Sequence, residues 1–232
     1  VSLGAPDRQV RFSVPTGNFG DVFAGFMARQ MGLPIAKLVI ATNINDILKR
    51  TLDSGFYEPQ TVVATRSPSM DIQISSNFER LLFELGGRDG ERVRSLMEDL
   101  RDQHRFGLSE NERDQLSAVF SAHRLDEAET VDVIRELHRR TGYVADPHTA
   151  VGVGAAWKMP QDPARPIIAL ATAHPTKFPE TVKDALGQAP EQPEFLSRKL
   201  SVDERYTVLS NDYASVAHFI GERSRAVREQ SL

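Results

Sequence analysis

The turn Ser13-Val14-Pro15-Thr16-Gly17-Asn18-Phe19-Gly20-Asp21 has residue types and spacing suited to holding an anion. It joins a short β-prone run, residues 10–14, to a helical pattern that starts at Asp21. Two glycines three apart let the backbone adopt positive φ and bring its N–H groups close to a ligand. The first turn of the helix adds unpaired N–H donors and partial positive charge. Such a pocket needs no lysine, and each charge-assisted bond in it contributes about 1.5–3 kcal/mol. The same pattern also serves as a plain tight connection between strand and helix. The turn lacks the G-K-[ST] ending of a nucleoside-triphosphate loop and the spacing of a dinucleotide fingerprint. Asn18 suits either a side-chain donor or a left-handed turn position.

A second polar group, Thr172-Ala173-His174-Pro175-Thr176-Lys177, follows an apolar run at 166–171 that reads as a buried strand. Open α/β sheets bind ligands beyond the carboxyl ends of their strands, which is where Thr172, His174 and Lys177 would lie. Lys177 offers a compact positive charge to an anion, whereas Thr172 also reads as a residue that simply ends a strand. His148 reads equally as a packed histidine at a helix start. Asn43, Ser76, Asn77 and Arg80 are further polar candidates. Ser76-x-x-Glu79, however, already reads as a capping box, and Asp46 as a cap for the helix that follows it. The six histidines are scattered without metal-ligand spacing, and no nucleophile-elbow motif supports a serine triad. No metal is expected.

Elements of two kinds must position these residues. Val22, Phe23, Phe26, Met27 and Met31 fall at helical spacing before Gly32 and Pro34, an apolar run at 37–41 follows, and residues 45–54 read as a helix closed by Gly55. Strand, turn, helix, strand is a βαβ unit, which implies a parallel sheet with helices on its faces. Residues 76–142 look different. After Ser76-x-x-Glu79 come Val93, Leu96, Met97 and Leu100, then a second capping box at Ser109-x-x-Glu112 leading to Leu116, Val119 and Phe120. A helix beginning at Asp126 then runs to Gly142. The expectation is an α/β part at 1–75, a helical insertion at 76–142, and an α/β remainder with a C-terminal helix at 143–232. A helix is expected over 147–158, a loop over 188–193, and a last amphipathic helix from Asp212 to about residue 229.

Composition narrows the function classes. With a net charge of −4 and no basic block, nucleic acid is not an expected partner. No apolar run approaches the roughly 20 residues that span a bilayer, so no membrane partner is expected either. The absence of cysteine removes disulfides and thiolate metal sites and fits a cytoplasmic protein.

The turn and its continuations, Phe23-Ala24-Gly25-Phe26 and Met31-Gly32-Leu33-Pro34, resemble the cofactor-phosphate loop of the threonine synthase family. Further blocks follow in family order: Ala41-Thr42-Asn43-x-Asn45-Asp46, Ser67-Pro68-Ser69-Met70-Asp71, Ser76-Asn77-Phe78-Glu79-Arg80, Asp146-Pro147-His148-Thr149-Ala150-Val151-Gly152, and Ala171-Thr172-Ala173-His174-Pro175-Thr176-Lys177-Phe178. They cover most of the chain outside the helical segment.

The resemblance implies the large domain of a fold type II enzyme of pyridoxal 5'-phosphate (PLP): an open, twisted, mostly parallel sheet flanked by helices. It also implies conversion of O-phospho-L-homoserine and water to L-threonine and phosphate. Gly17, Asn18, Phe19 and Gly20 would hold the cofactor phosphate, mainly through backbone. Thr172 would face the pyridine nitrogen, and Lys177 and His174 would contact substrate. The family's Schiff-base lysine lies upstream of the phosphate loop, and none of the six lysines here has its context. No catalytic residue is therefore expected in this chain. An N-terminal half of the same enzyme is the expected partner, as the Val1 start also suggests, and the chain alone is expected to be inactive. Two alternatives share these blocks: a threonine-synthase-like phospholyase yielding 2-oxobutyrate, and an inactive relative serving as a binding module.

Overall fold

The computed structural model describes residues 4, 7–200 and 202–225, which fall into two units meeting between Glu191 and Gln192. In the first unit the opening periodicities fold as expected. Strand β1 (Val10–Pro15) leads through the glycine turn into helix α1 (Gly20–Gln30), then strand β2 (Ile35–Thr42) and helix α2 (Ile47–Ser54). β1 and β2 are parallel, with Pro15 opposite Ala41.

The middle of the unit contains β3 (Phe56–Tyr57), α3 (Phe78–Leu85), α4 (Gly90–Gln103), β4 (Phe106–Gly107), α5 (Glu110–Val119), β5 (Phe120–Arg124) and α6 (Glu127–Thr141). It ends with α7 (Pro147–Lys158), β6 (Ile167–Ala169) and α8 (Pro179–Leu186). The main sheet has the order β5-β2-β1-β6 and every pairing in it is parallel; β3 and β4 form a separate antiparallel ribbon.

Successive residues of β2 face opposite sides, so a strand buried on both faces must be apolar throughout. Leu38 and Ile40 join Phe19, Val22, Phe26, Phe78 and Phe120 in one core. Val39 and Ala41 join Ile134, Ala150, Val151 and Ala155 in the other. Helices thus cover both faces of an α/β sheet.

Four expectations need correction. Phe120 does not end a helix: it starts β5, so residues 76–142 contribute an edge strand to the main sheet as well as helices. Pairing with β2 here overrides the weak β propensity of Phe-Ser-Ala-His-Arg. The run at 166–171 is a shorter, half-buried strand, because β6 pairs only with β1. Ser76 and Glu79 form no capping box; α3 starts at Phe78 behind Asn77, whose N–H and amide both go to the Asn18 carbonyl. The Asp46 side chain makes no cap and instead pairs with Arg50 and Arg124, at 3.0 and 3.5 Å. By contrast Ser109 and Glu112 do form a capping box, as do Asp126 and Glu129.

The second unit contains α9 (Glu194–Leu200) and α10 (Tyr213–Arg223). Asp212 caps α10 by accepting from the N–H and hydroxyl of Ser215, both at 2.8 Å. The helix expected to about residue 229 stops short: α10 ends at Arg223, where Ser224 turns extended with φ −66° and ψ 130°, and residues 226–229 lie outside the described residues. Among those residues, no helix is long and apolar enough to cross a membrane.

Candidate functional site

The glycine turn lies at the carboxyl ends of β1 and β2. Thr16 N–H closes the ladder on Ala41 O at 2.8 Å. Phe19 then takes φ 64° and ψ 9°, the left-handed region, and becomes the N-cap of α1 with no side-chain cap. Holding a phenylalanine there costs about 1–3 kcal/mol. Packing offsets that strain, since the ring is 1% exposed and lies 5.2 Å from Phe78 and 5.9 Å from Phe120.

The turn's carbonyls and amides are treated differently. Gly17 O accepts from Ser75 Oγ at 2.8 Å, and Asn18 O from both Asn77 donors at 3.1 and 2.8 Å. Ser75 is itself fixed by its N–H donating to the buried Tyr57 hydroxyl at 2.7 Å. The N–H groups of Asn18, Phe19, Gly20, Asp21 and Val22 find no acceptor among the described residues. The result is a cluster of unpaired N–H donors at a helix start, the kind of terminus that suits a phosphate group, although Phe19 and Val22 are themselves buried.

Residues 67–71 form the facing wall. A Cβ on Gly17 would sit 2.5 Å from Ser69 O and 3.4 Å from Met70 Cα, so only glycine permits this approach. Buried side chains hold the wall from behind. Asn43, 1% exposed, donates to Thr65 Oγ1 at 2.8 Å, Ser67 Oγ at 3.0 Å and Asp71 Oδ1 at 2.8 Å. Asp71 Oδ1 also accepts from Asn45 Nδ2 at 3.0 Å.

The third wall comes from α7 and the segment after β6. Asp146, 1% exposed, caps α7 and accepts from the His148 N–H and from His148 Nδ1, each at 2.9 Å, and from the Thr149 hydroxyl. Burial pushes its carboxyl up, but these hydrogen bonds outweigh burial and hold it below the ordinary aspartate value. His148 Nε2 accepts from Ser69 N–H at 3.2 Å, which requires an unprotonated Nε2 and the proton on Nδ1. Thr149 Oγ1 accepts from Thr172 N–H at 3.3 Å.

These walls enclose a cleft of about 180 Å³ whose lining includes Gly17, Asp21, Ser69, His148, Thr172 and Lys177. Gly17, Thr172 and Lys177, 160 residues apart at the extremes (177 − 17), are thereby brought together. The Lys177 ammonium has no partner among the described residues. Asn18, Phe19 and Gly20 complete the turn beside the cleft, although the Phe19 ring points into the core. His174 is not part of the lining. Its Nδ1 meets Thr176 Oγ1 at 2.7 Å and accepts from Thr176 N–H at 3.3 Å, capping the 3-10 turn Pro175–Lys177. Arg80 belongs to a wider groove of about 430 Å³ beside Phe23 and Phe83, apart from the other candidates. Asn43 and Asn77 brace walls instead of lining them.

Sequence reasoning assigned no role to Ser69, Asp21, Phe178 or the Asp146–Thr149 pair. The Asp-Pro start of α7 does announce a helix cap. Nothing in the chain announces that His148 meets an amide 79 residues away.

Residues 149–220 match the family model "Threonine synthase, C-terminal". Threonine synthase of Pseudomonas aeruginosa is 44% identical over 96% of this chain and 48% of its own length. That of Saccharomyces cerevisiae is 44% identical over 79% of this chain and 39% of its own. PLP-bound threonine synthase from Brucella melitensis superimposes with a TM-score of 0.87 at 51% identity, covering 97% of this chain and 48% of that one. The yeast enzyme structure gives 0.81 at 38% identity, covering 92% and 47%. The chain thus spans about half the length of the relatives it matches. Its fold is that of the corresponding part of these fold type II PLP enzymes.

Proposed function

We propose that this chain is the C-terminal half of a threonine synthase, an enzyme that converts O-phospho-L-homoserine and water to L-threonine and phosphate with PLP. The observation that carries the reading is the glycine turn, whose Gly17 and following Asp21 line one cleft with Thr172 and Lys177 and whose N–H groups from Asn18 to Val22 have no acceptor among the described residues. The similarity to named threonine synthases across 96% of the chain supports it.

The fit to the cofactor is chemical. The unpaired N–H groups of residues 18–22 suit a phosphate, and the turn supplies them without a lysine. The Thr172 hydroxyl, a neutral partner, suits a pyridine nitrogen left unprotonated. Bound PLP supplies an electron sink for proton loss at the substrate's Cα and Cβ.

The residues of this chain bind and orient. Backbone N–H groups of the turn hold the cofactor phosphate, and the α1 terminus adds a favourable field. The Thr172 hydroxyl would hold the ring nitrogen. Lys177 neutralises an anionic group of the substrate, whose phosphate and carboxylate both need a counter-charge. His174, tied up in its own turn, acts on the position of Lys177 by fixing the Pro175–Lys177 segment. Proton transfer at carbon belongs to a lysine supplied by the N-terminal half.

The test is product analysis of the full-length parent given PLP and O-phospho-L-homoserine. Threonine released in step with phosphate is the expected result, with no turnover by the 232-residue chain alone. Phosphate with 2-oxobutyrate, or no phosphate from a parent with cofactor bound, would overturn the reading.

A further inference from the structure

We infer that His148 is a positioning residue for the anion turn, acting as a neutral Nδ1–H imidazole that Asp146 orients so that Nε2 anchors the Ser69 wall. The inference rests on the function proposed above for its link to PLP, but its geometry stands alone.

The ring is 4% exposed, and both its nitrogens are committed. Nδ1 faces a carboxylate oxygen and must be the donor. Nε2 faces a backbone N–H and must be the acceptor. The tautomer follows from the partners. A helix cap does not need this arrangement, because Asp146 already satisfies α7 through the N–H groups of His148 and Thr149. The ring adds a bond from α7 to Ser69, the residue whose carbonyl touches the space beside Gly17.

Two walls of the cleft depend on this cluster. Asn43 and Asp71 hold residues 67–71 from behind, while His148 ties their Ser69 amide toward α7. On the other side the ring packs on Phe178, centroids 4.8 Å apart, next in the chain to Lys177. Through Thr149, the same carboxylate fixes the backbone of Thr172. One buried acid therefore links the phosphate turn's neighbour, Ser69, to Thr172, the residue that would hold the ring nitrogen. Spacing of this kind governs whether both ends of a rigid ligand are engaged together.

A packing role and a positioning role differ in one respect: which nitrogen matters. His148→Gln places an acceptor near the Nε2 position and keeps the Ser69 bond. His148→Asn keeps a donor near Nδ1 for Asp146 and loses the Ser69 bond. Both variants shrink or loosen the ring site, so simple packing predicts equal effects. The experiment uses the full-length parent and both variants in it, with two readouts: amide hydrogen exchange at Ser69 without ligand, and pyridoxal 5'-phosphate affinity by fluorescence titration. In His148→Asn, Ser69 exchange should rise about tenfold or more and affinity fall about tenfold, while His148→Gln stays within about threefold of wild type on both. Equal behaviour of the two variants in exchange would overturn the inference. If the wild-type parent binds no pyridoxal phosphate while the exchange contrast holds, the cofactor assignment fails and the positioning of Ser69 stands. Should either variant be unfolded by circular dichroism, the double variant Asp146→Asn with His148→Gln decides. Positioning requires Ser69 protection to persist in it, and its loss overturns the inference.

Discussion

Replacing Gly17 by alanine tests the close approach that shapes the cleft. The added Cβ would lie 2.5 Å from Ser69 O, where ordinary contact begins near 3.4 Å, so the two backbones must part by about 0.9 Å (3.4 − 2.5). The segment that must move is held by His148 on one side and by Asn43 and Asp71 on the other. Yielding means losing hydrogen bonds that contribute about 0.5–1.5 kcal/mol each, in line with the 1–3 kcal/mol or so that overpacking costs. Alanine also stiffens the unfolded chain, a gain of about 0.4–1 kcal/mol. Strain wins, and the net expectation is a loss of about 1–2 kcal/mol, read as a lower urea midpoint with unchanged slope by circular dichroism. Gly20→Ala is the control. Its Cβ would meet nothing nearer than Asn77 Nδ2 at 3.6 Å, so with no strain to offset it the same stiffening should leave it more stable than wild type by about 0.4–1 kcal/mol. A Gly17→Ala protein as stable as Gly20→Ala would refute the reasoning, because the two glycines would then be equivalent.

Two more outcomes follow from the geometry. Ser109→Ala should cost about 0.5–2 kcal/mol, since its hydroxyl caps α5, whereas Ser76→Ala should change stability by less than about 0.5 kcal/mol; equal losses in urea titrations would show that both boxes form. The Asp146 carboxyl is held below its ordinary value of 3.8, so its contribution is complete above that value and disappears as pH falls through its lower folded value. Wild type should therefore lose stability more steeply than Asp146→Asn below about pH 4, and parallel curves in a pH series of urea midpoints would contradict this.

The opening βαβ unit was legible because the apolar period changes at Pro15 and again at Gly32, and each break carries its own residue chemistry. The caps at Ser109, Asp126 and Asp212 were legible for the same local reason. The Ser76 box failed because a tertiary demand, the Asn77 bonds to Asn18, took over the chain where the local motif would have formed. β5 escaped notice because Phe120 completes a helical spacing and begins a strand without an intervening breaker. The two-residue strands β3 and β4 are too short to carry a period. At the candidate site, motif order singled out the turn, Thr172 and Lys177, and the fold brings Gly17, Thr172 and Lys177 into one cleft. His174 could not be separated from them, because its role is decided by a bond to Thr176 that lies two residues away.

The stretch from residue 58 to 75 contains no helix or strand beyond one 3-10 turn at Pro68–Met70, yet it forms a wall of the cleft. Its order comes from side chains: Asn45 bonds both polar atoms of Val63, and Asp71 gathers Asn43, Asn45 and Thr65. Fixing a residue's backbone consumes about 1–2 kcal/mol of conformational entropy. Here that loss is met during folding, by hydrogen bonds that do not involve a ligand. Under the proposed function, association at this wall would have little disorder left to remove, so more of each contact with an anion would remain as affinity.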